Sequence, residues 1–312
     1  MIVEQPPAAS PQQVEIVEVG PRDGLQNERV RIPTKDKIAF VTALAAAGLR
    51  RIEASSFVHP KAIPQLADAE QVFAGLAGLD TVRLSALVPN ERGLQRAIDA
   101  AVREIAVFTA ATDTFVQHNI HMTLRASLQH FAPVVARARA HGMRVRGYVS
   151  TVFGCPYEGA VTPAQGIAVA QALLDQGCDE LSIGDTIGMA TPGDVARWLE
   201  AARTAGLPFE RMALHFHDTR GIALANVMVG LQQGVRIFDA SAGGLGGCPF
   251  APGASGNLAT EDLVFALNGL GYQTGVSLDK LVQASSLIAV QLDHMLPSRY
   301  YQAAKVTACM PV

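Results

Sequence analysis

Eight short runs rich in β-branched and apolar residues recur along the chain, their starts on average about 32 residues apart. They cover 14–20 (VEIVEVG), 51–56 (RIEASS), 83–88 (RLSALV) and 104–110 (EIAVFTA). Four more follow at 144–151 (RVRGYVST), 180–186 (ELSIGDT), 212–217 (MALHFH) and 237–243 (IFDASAG). Between them lie Ala/Leu-rich stretches with helical spacing, such as 35–48 and 163–177. Several close on a glycine where a helix takes a left-handed cap: Gly48, Gly142, Gly177, Gly206 and Gly234. Helix starts are expected behind Thr34, Thr162-Pro163 and Thr191-Pro192. Eight strand–helix units with short connections predict an α/β chain closed into a TIM-type (β/α)8 barrel. A doubly wound open sheet would alternate in the same way. Against it, no G-x-G-x-x-G follows the first strand, and no composition break halves the chain. The weaker pattern after about residue 271 predicts additional C-terminal helices packed on the barrel.

Composition narrows the class. Of the 312 residues 49% are hydrophobic and 17% charged, which excludes a disordered chain. The net charge of −3 provides no basic field for nucleic acid or an anionic membrane surface. The longest nearly apolar stretch, 40–49, is half the roughly 20 residues of a membrane span. Residues 1–13 lack Lys, Arg and any sustained apolar run, so they are expected to be a flexible tail rather than a signal peptide. One barrel domain is expected over 14–312. Cys155, Cys178, Cys248 and Cys309 lie far apart without a C-x-x-C, so neither a disulfide scaffold nor a zinc knuckle is indicated. A cytoplasmic enzyme is the class that fits.

In a (β/α)8 barrel the site forms where strands end and βα loops begin. At those points this chain places Gly20-Pro21-Arg22-Asp23-Gly24, Glu53, Gly184-Asp185-Thr186 and His215-Phe216-His217-Asp218. A loop from Gly243 to Asn257 adds six glycines and Cys248. Charge is scarce in the sequence, yet it gathers at one rim.

His215 and His217 stand two apart on a strand, so their side chains share a face. An H-x-H pair alone fits rim histidines bonded to backbone equally well. With Asp23 and Asn257 on neighbouring loops, the set suits a divalent ion, and its imidazole, carboxylate and amide donors favour Mg²⁺ or Mn²⁺ over zinc. Arg22 adjoins Asp23, so a turn is expected to give Asp23 to the metal and Arg22 to the substrate, where a guanidinium stabilises an enolate oxygen. An ordinary surface ion pair is the competing reading.

Glu53 and Asp185 are isolated acids within strands, and burial would demand partners such as Arg22 or the histidines. They are expected to orient and tune the site, with Asp185 the better candidate for direct contact. Cys248 in its glycine-rich loop suits a thiol used for acid/base work. Cys155, Cys178 and Cys309 read as fillers. Asn119, after the fourth strand, is placed to reach the substrate.

The stretches VGPRDGLQNE, IEASSFVHPKAIPQLAD, GCPYEG, IGDTIGMATP, HFHDTRGIALAN and GGLGGCPFAPGASGNLATED resemble the 3-hydroxy-3-methylglutaryl-CoA lyase family, from about Val14 to about Leu270. That resemblance implies a metal-dependent TIM barrel that cleaves the acyl-CoA to acetyl-CoA and acetoacetate. It implies Asp23, His215, His217 and Asn257 as metal ligands, Arg22 as enolate stabiliser, Cys248 as general acid/base, and Glu53 and Asp185 in support. It also implies a homodimer. Which of Cys248, Asp185 or His215 first removes the hydroxyl proton stays open. The family usually carries Glu where this chain has Asp113, a side chain one methylene shorter. A relative acting on a longer C3 substituent, a Claisen-type synthase of the wider superfamily, and a barrel that binds without turnover are the alternatives. The glycine-rich cysteine loop argues against the synthase.

Overall fold

The structure, a computed structural model, describes residues 12–247 and 256–308. Within them eight parallel strands close on themselves in sequence order. These are β1 (Glu15–Glu18), β2 (Arg51–Ser56), β3 (Arg83–Leu87), β4 (Glu104–Ala110), β5 (Arg144–Ser150), β6 (Glu180–Asp185), β7 (Met212–Phe216) and β8 (Ile237–Ala240). The closing seam runs from Glu15 opposite Ile237 to Glu18 opposite Ala240. The expected TIM barrel is therefore present.

Helices follow the strands: α1 (Thr34–Ala46), α2 (Ala69–Gly75), α3 (Glu91–Asp99), α4 (Asp113–Ile120), α5 (Leu124–Ala140) and α6 (Pro163–Asp175). Then come α7 (Pro192–Thr204), α8 (Ala223–Gln232), α9 (Thr260–Gly269), α10 (Leu278–Ala289) and α11 (Arg299–Ala308). The five glycines read as left-handed caps all have positive φ, from 71° at Gly142 to 110° at Gly48. Thr162 and Thr191 close capping boxes at α6 and α7. Thr34 differs from expectation. It is the first helical residue behind Pro33, and its hydroxyl donates to Asp68 Oδ2 at 2.6 Å instead of capping. The helices expected after residue 271 are α10, which buries Leu281, Ala284 and Ile288 against α1, and α11, which packs on α9. Residues 1–11 of the expected tail lie outside the described residues. Gln12 and Gln13 are held, because Gln273 N donates to Gln12 O at 3.1 Å and Gln13 bridges to Gln273.

Two strands, β1 and β8, end two or more residues sooner than their apolar runs. After Val19 the chain makes one π-helical turn over Gly20–Gly24, in which the amides of Arg22, Asp23 and Gly24 all donate to Val19 O. Such turns recur at functional sites. β8 stops at Ala240 because Gly243 and Gly244 adopt φ of 68° and 71° and turn the chain off the sheet.

Alternation along each strand separates two environments. On β5, Val145 and Val149 join the apolar core between barrel and helices, whereas Arg146 and Tyr148 reach lumen partners on β8 and β2. Fully buried rings such as Phe40, Phe131 and Phe238 each stabilise that outer core by about 1.5–3 kcal/mol. The lumen is different. Arg51 bonds Glu180 twice, at 2.8 and 2.7 Å; Arg146 pairs with Glu180 at 2.9 Å and Asp239 at 2.6 Å; Asp239 meets His215 at 3.2 Å. Charge therefore runs through the interior, not only around the rim. Buried ion pairs offset their own desolvation poorly, so they stabilise the fold far less than they fix geometry.

Candidate active site

Asp23, carried by the π turn, faces His215 of β7 and His217 just beyond it. One ligand atom from each lies within 4.8 Å of the others, with the imidazole centroids 5.2 Å apart. Asn257 joins them from the far end of the glycine-rich loop. It pairs in an isolated bridge with His217, and its Nδ2 donates to Asp23 Oδ2 at 2.8 Å and Leu245 O at 3.1 Å. Two buried atoms here have no hydrogen-bond partner among the described residues: Asn257 Oδ1 and His217 Nδ1. Uncompensated buried acceptors are costly. Facing a carboxylate and a second imidazole, they fit a divalent cation.

The electrostatics of Asp23 and His217 agree with that use. Burial would raise the Asp23 carboxyl, but Arg22 first, then His215 and His217, hold it down at about 2. Burial and the neighbouring His215 push His217 down to about 3, so it is neutral at physiological pH, the state a metal requires. Burial lowers His215 as well, yet its hydrogen bond to Asp239 reverses the direction and leaves it raised.

Arg22 is 6% exposed, which removes the surface ion-pair reading. Its Nε donates to Glu53 Oε2 and its Nη1 to Asp23 Oδ1, both at 2.6 Å, leaving Nη2 for a ligand. Tyr148 completes the cradle: its hydroxyl donates to Glu53 Oε2 at 3.2 Å, and its ring lies 5.5 Å from the guanidinium carbon. The partner expected for Glu53 is thus Arg22. Asp185 departs from expectation. Its oxygens accept from the amides of Met189 and Ala190 at 2.9 and 3.0 Å, so local backbone takes the place of a charged partner. Burial, partly offset by those bonds, brings its carboxyl up to about 6.

Asn119 sits exposed on α4 and lines a small recess at the ends of β4 and β5. Asp113 accepts from Leu124 N at 2.7 Å and joins the starts of α4 and α5. Cys155 and Cys178 are buried fillers, and burial raises the Cys178 thiol to about 12. Cys248 and Cys309 lie outside the described residues.

Sequence reasoning missed the acids that fasten the root of the loop. Glu18 Oε1 accepts from the amides of Gly20 and Ala242, both at 2.8 Å, and its Oε2 from Thr260 Oγ at 2.7 Å. Glu261 accepts from Gly243 N at 3.0 and 2.8 Å. Burial raises both carboxyls from 4.5 to about 7 against these bonds. An acid raised in the folded state binds its proton more tightly there than when unfolded. Its contribution is full below about pH 4.5 and is lost as pH rises through about 7. The Tm of the metal-free protein is therefore expected to fall less between pH 5 and pH 8 in Glu18→Gln than in the unchanged chain. Identical pH slopes for the two proteins would contradict this account.

A barrel with a carboxylate, two imidazoles and an amide converging at the carboxyl end of its strands, beside a buried arginine, has the makings of a metal-dependent barrel enzyme. The HMGL-like family model matches residues 13–288, and the chain belongs to that family. It is 50% identical over 282 residues to the mitochondrial hydroxymethylglutaryl-CoA lyase of Arabidopsis thaliana, covering 90% of this chain but only 60% of that longer protein. To the 3-hydroxy-3-isohexenylglutaryl-CoA/hydroxy-methylglutaryl-CoA lyase of Pseudomonas aeruginosa it is 49% identical over 293 residues, covering 94% and 97% of the two chains. The crystal structure of a hydroxymethylglutaryl-CoA lyase from Pseudomonas aeruginosa superposes with a TM-score of 0.93 at 48% identity, over 95% of this chain and 99% of that one. Among the described residues no helix is long and apolar enough to cross a membrane.

Proposed function

We propose that this chain is a carbon–carbon lyase that cleaves 3-hydroxy-3-methylglutaryl-CoA to acetyl-CoA and acetoacetate. The observation that carries the reading is the convergence of Asp23, His215 and His217 beside Arg22, in a chain of the HMGL-like family. Asp23, His215, His217 and Asn257 would hold Mg²⁺ or Mn²⁺. Bound there, the ion supplies Lewis acidity toward the substrate's C3 hydroxyl and carboxylate oxygens.

The remaining work belongs to side chains. Loss of the hydroxyl proton lets the C2–C3 bond break, and its electron pair passes to the thioester as an enolate. Arg22 Nη2 meets the oxygen that gains charge, with Glu53 and Tyr148 holding the guanidinium in place. Asp185, a carboxyl near pH 6, suits the first proton transfer better than His215, whose Nδ1 is committed to Asp239. Cys248 returns a proton to C2, giving acetyl-CoA. The proposal includes a homodimer, on the strength of the family resemblance, and a cytoplasmic location, on the composition of the chain.

A second substrate has a specific observation in its favour. The Pseudomonas aeruginosa relative is named for a glutaryl-CoA with an isohexenyl group at C3. The purified protein would be assayed on both esters with Mg²⁺, with Mn²⁺ and with chelator. Metal-dependent release of acetoacetate from the methyl substrate is the expected result. Cleavage confined to the isohexenyl ester would transfer the assignment, and turnover undiminished by chelator would end the metal-dependent reading.

A further inference from the structure

One imidazole of the metal-suited cluster is anchored and the other is not. His215 Nδ1 lies 3.2 Å from Asp239 Oδ2, whereas His217 Nδ1 has no partner among the described residues. Asp239 is itself fixed before His215 reaches it. Arg146 Nη2 donates to its Oδ1 at 2.6 Å, and Ser182 Oγ donates to its Oδ2 at 2.7 Å. Arg146 is held in turn by Glu180 at 2.9 Å and by a hydrogen bond to Tyr148 Oη at 3.3 Å. His215, Asp239, Arg146, Ser182, Glu180 and Tyr148 are all buried, and they belong to four neighbouring strands, β5 to β8.

This arrangement has a directional consequence. A carboxylate that accepts from Nδ1 keeps the imidazole proton on that nitrogen and leaves Nε2 as the lone-pair donor. Arg146 holds Oδ1 and Ser182 shares Oδ2 with the ring, so turning the carboxylate away from His215 would break both bonds. We propose that Asp239, clamped by Arg146 and Ser182, is a positioning residue that fixes the tautomer and direction of His215 so that Nε2 faces the metal. Asp239 touches neither substrate nor ion. It acts through the ring, and His217 Nδ1 has no such partner among the described residues.

The inference rests on the reading of Asp23, His215 and His217 as metal ligands, and the experiment separates the two. Mn²⁺ affinity of the purified chain would be measured by electron paramagnetic resonance, with His217→Ala as the control that loses binding. Asp239→Asn is expected to weaken Mn²⁺ affinity by about 10- to 100-fold while the circular dichroism of the barrel is kept. Ser182→Ala loosens the same oxygen without removing a buried charge, and a smaller loss in the same direction is expected. It decides the matter if Asp239→Asn does not fold. In ¹⁵N spectra of the metal-free protein, His215 is expected to show the Nδ1-protonated tautomer, with the other form gaining population in Asp239→Asn. A role confined to packing would not move that signal. Unchanged Mn²⁺ affinity in the folded variants, with His217→Ala impaired, would overturn the positioning role alone. No Mn²⁺ binding by the unchanged chain would overturn the metal-site reading and this inference with it.

Discussion

Arg22→Met is expected to lower kcat by about 10²- to 10³-fold, the effect of removing one preorganised donor from a developing oxyanion. The side chain is buried and its Nε and Nη1 are held by Glu53 and Asp23, so Nη2 is aimed before substrate arrives. Methionine keeps much of the volume and none of the charge. The loss has a second face, because Arg22 is the foremost influence holding the Asp23 carboxyl down at about 2. Without it Asp23 takes up a proton at higher pH, and metal affinity is expected to weaken first on the acid side. Steady-state kinetics at saturating Mn²⁺ separate the two effects, and a thermal melt excludes unfolding. Arg22→Lys keeps a positive charge but not the fork that grips two carboxylates, so only partial recovery is expected. A kcat for Arg22→Met within tenfold of the unchanged chain would remove Arg22 from its assigned role.

The companion experiment concerns the thiol. Cys248→Ala is expected to reduce cleavage by about 10²- to 10⁴-fold, the usual contribution of a positioned acid or base. Binding of the acyl-CoA and of Mn²⁺ should persist, because Asp23, His215, His217 and Asn257 are untouched. Isothermal titration of the variant against turnover of the unchanged chain tests both statements. Cleavage retained at near-normal rate would transfer the proton to another group, with Asp185 first in line.

The barrel was legible because its signals are local. β-branched runs, left-handed glycine caps and threonine capping boxes each act over a few residues, and β2 and β4 match their runs from end to end. The rim residues were legible because acids and histidines at strand ends stand out in a chain with little charge. What escaped was set by register between distant segments. Arg51, Glu104, Arg146, Glu180 and Asp239 all lie within the candidate strands, yet Arg51 and Glu180 meet across 129 positions. Charged residues recurring at alternate positions of an apolar strand were the available signal for a polar lumen. Asp185 illustrates the reverse, since its partners are amides four and five residues onward that no charge pattern could reveal. The early end of β8 depended on Glu18 and Glu261, which seize the amides of Ala242 and Gly243 from elsewhere in the fold.

The glycine-rich loop also has a clasp. Gly256 N donates to Gly246 O at 3.1 Å, and Asn257 begins a short bridged segment between β7 and β8 that continues to Ala259. Asn257 is thus placed by the clasp and by the bridges of its segment to the ends of β7 and β8. On the proposed assignment, the amide that would complete the ion's ligand set is therefore held by backbone bonds to the barrel itself.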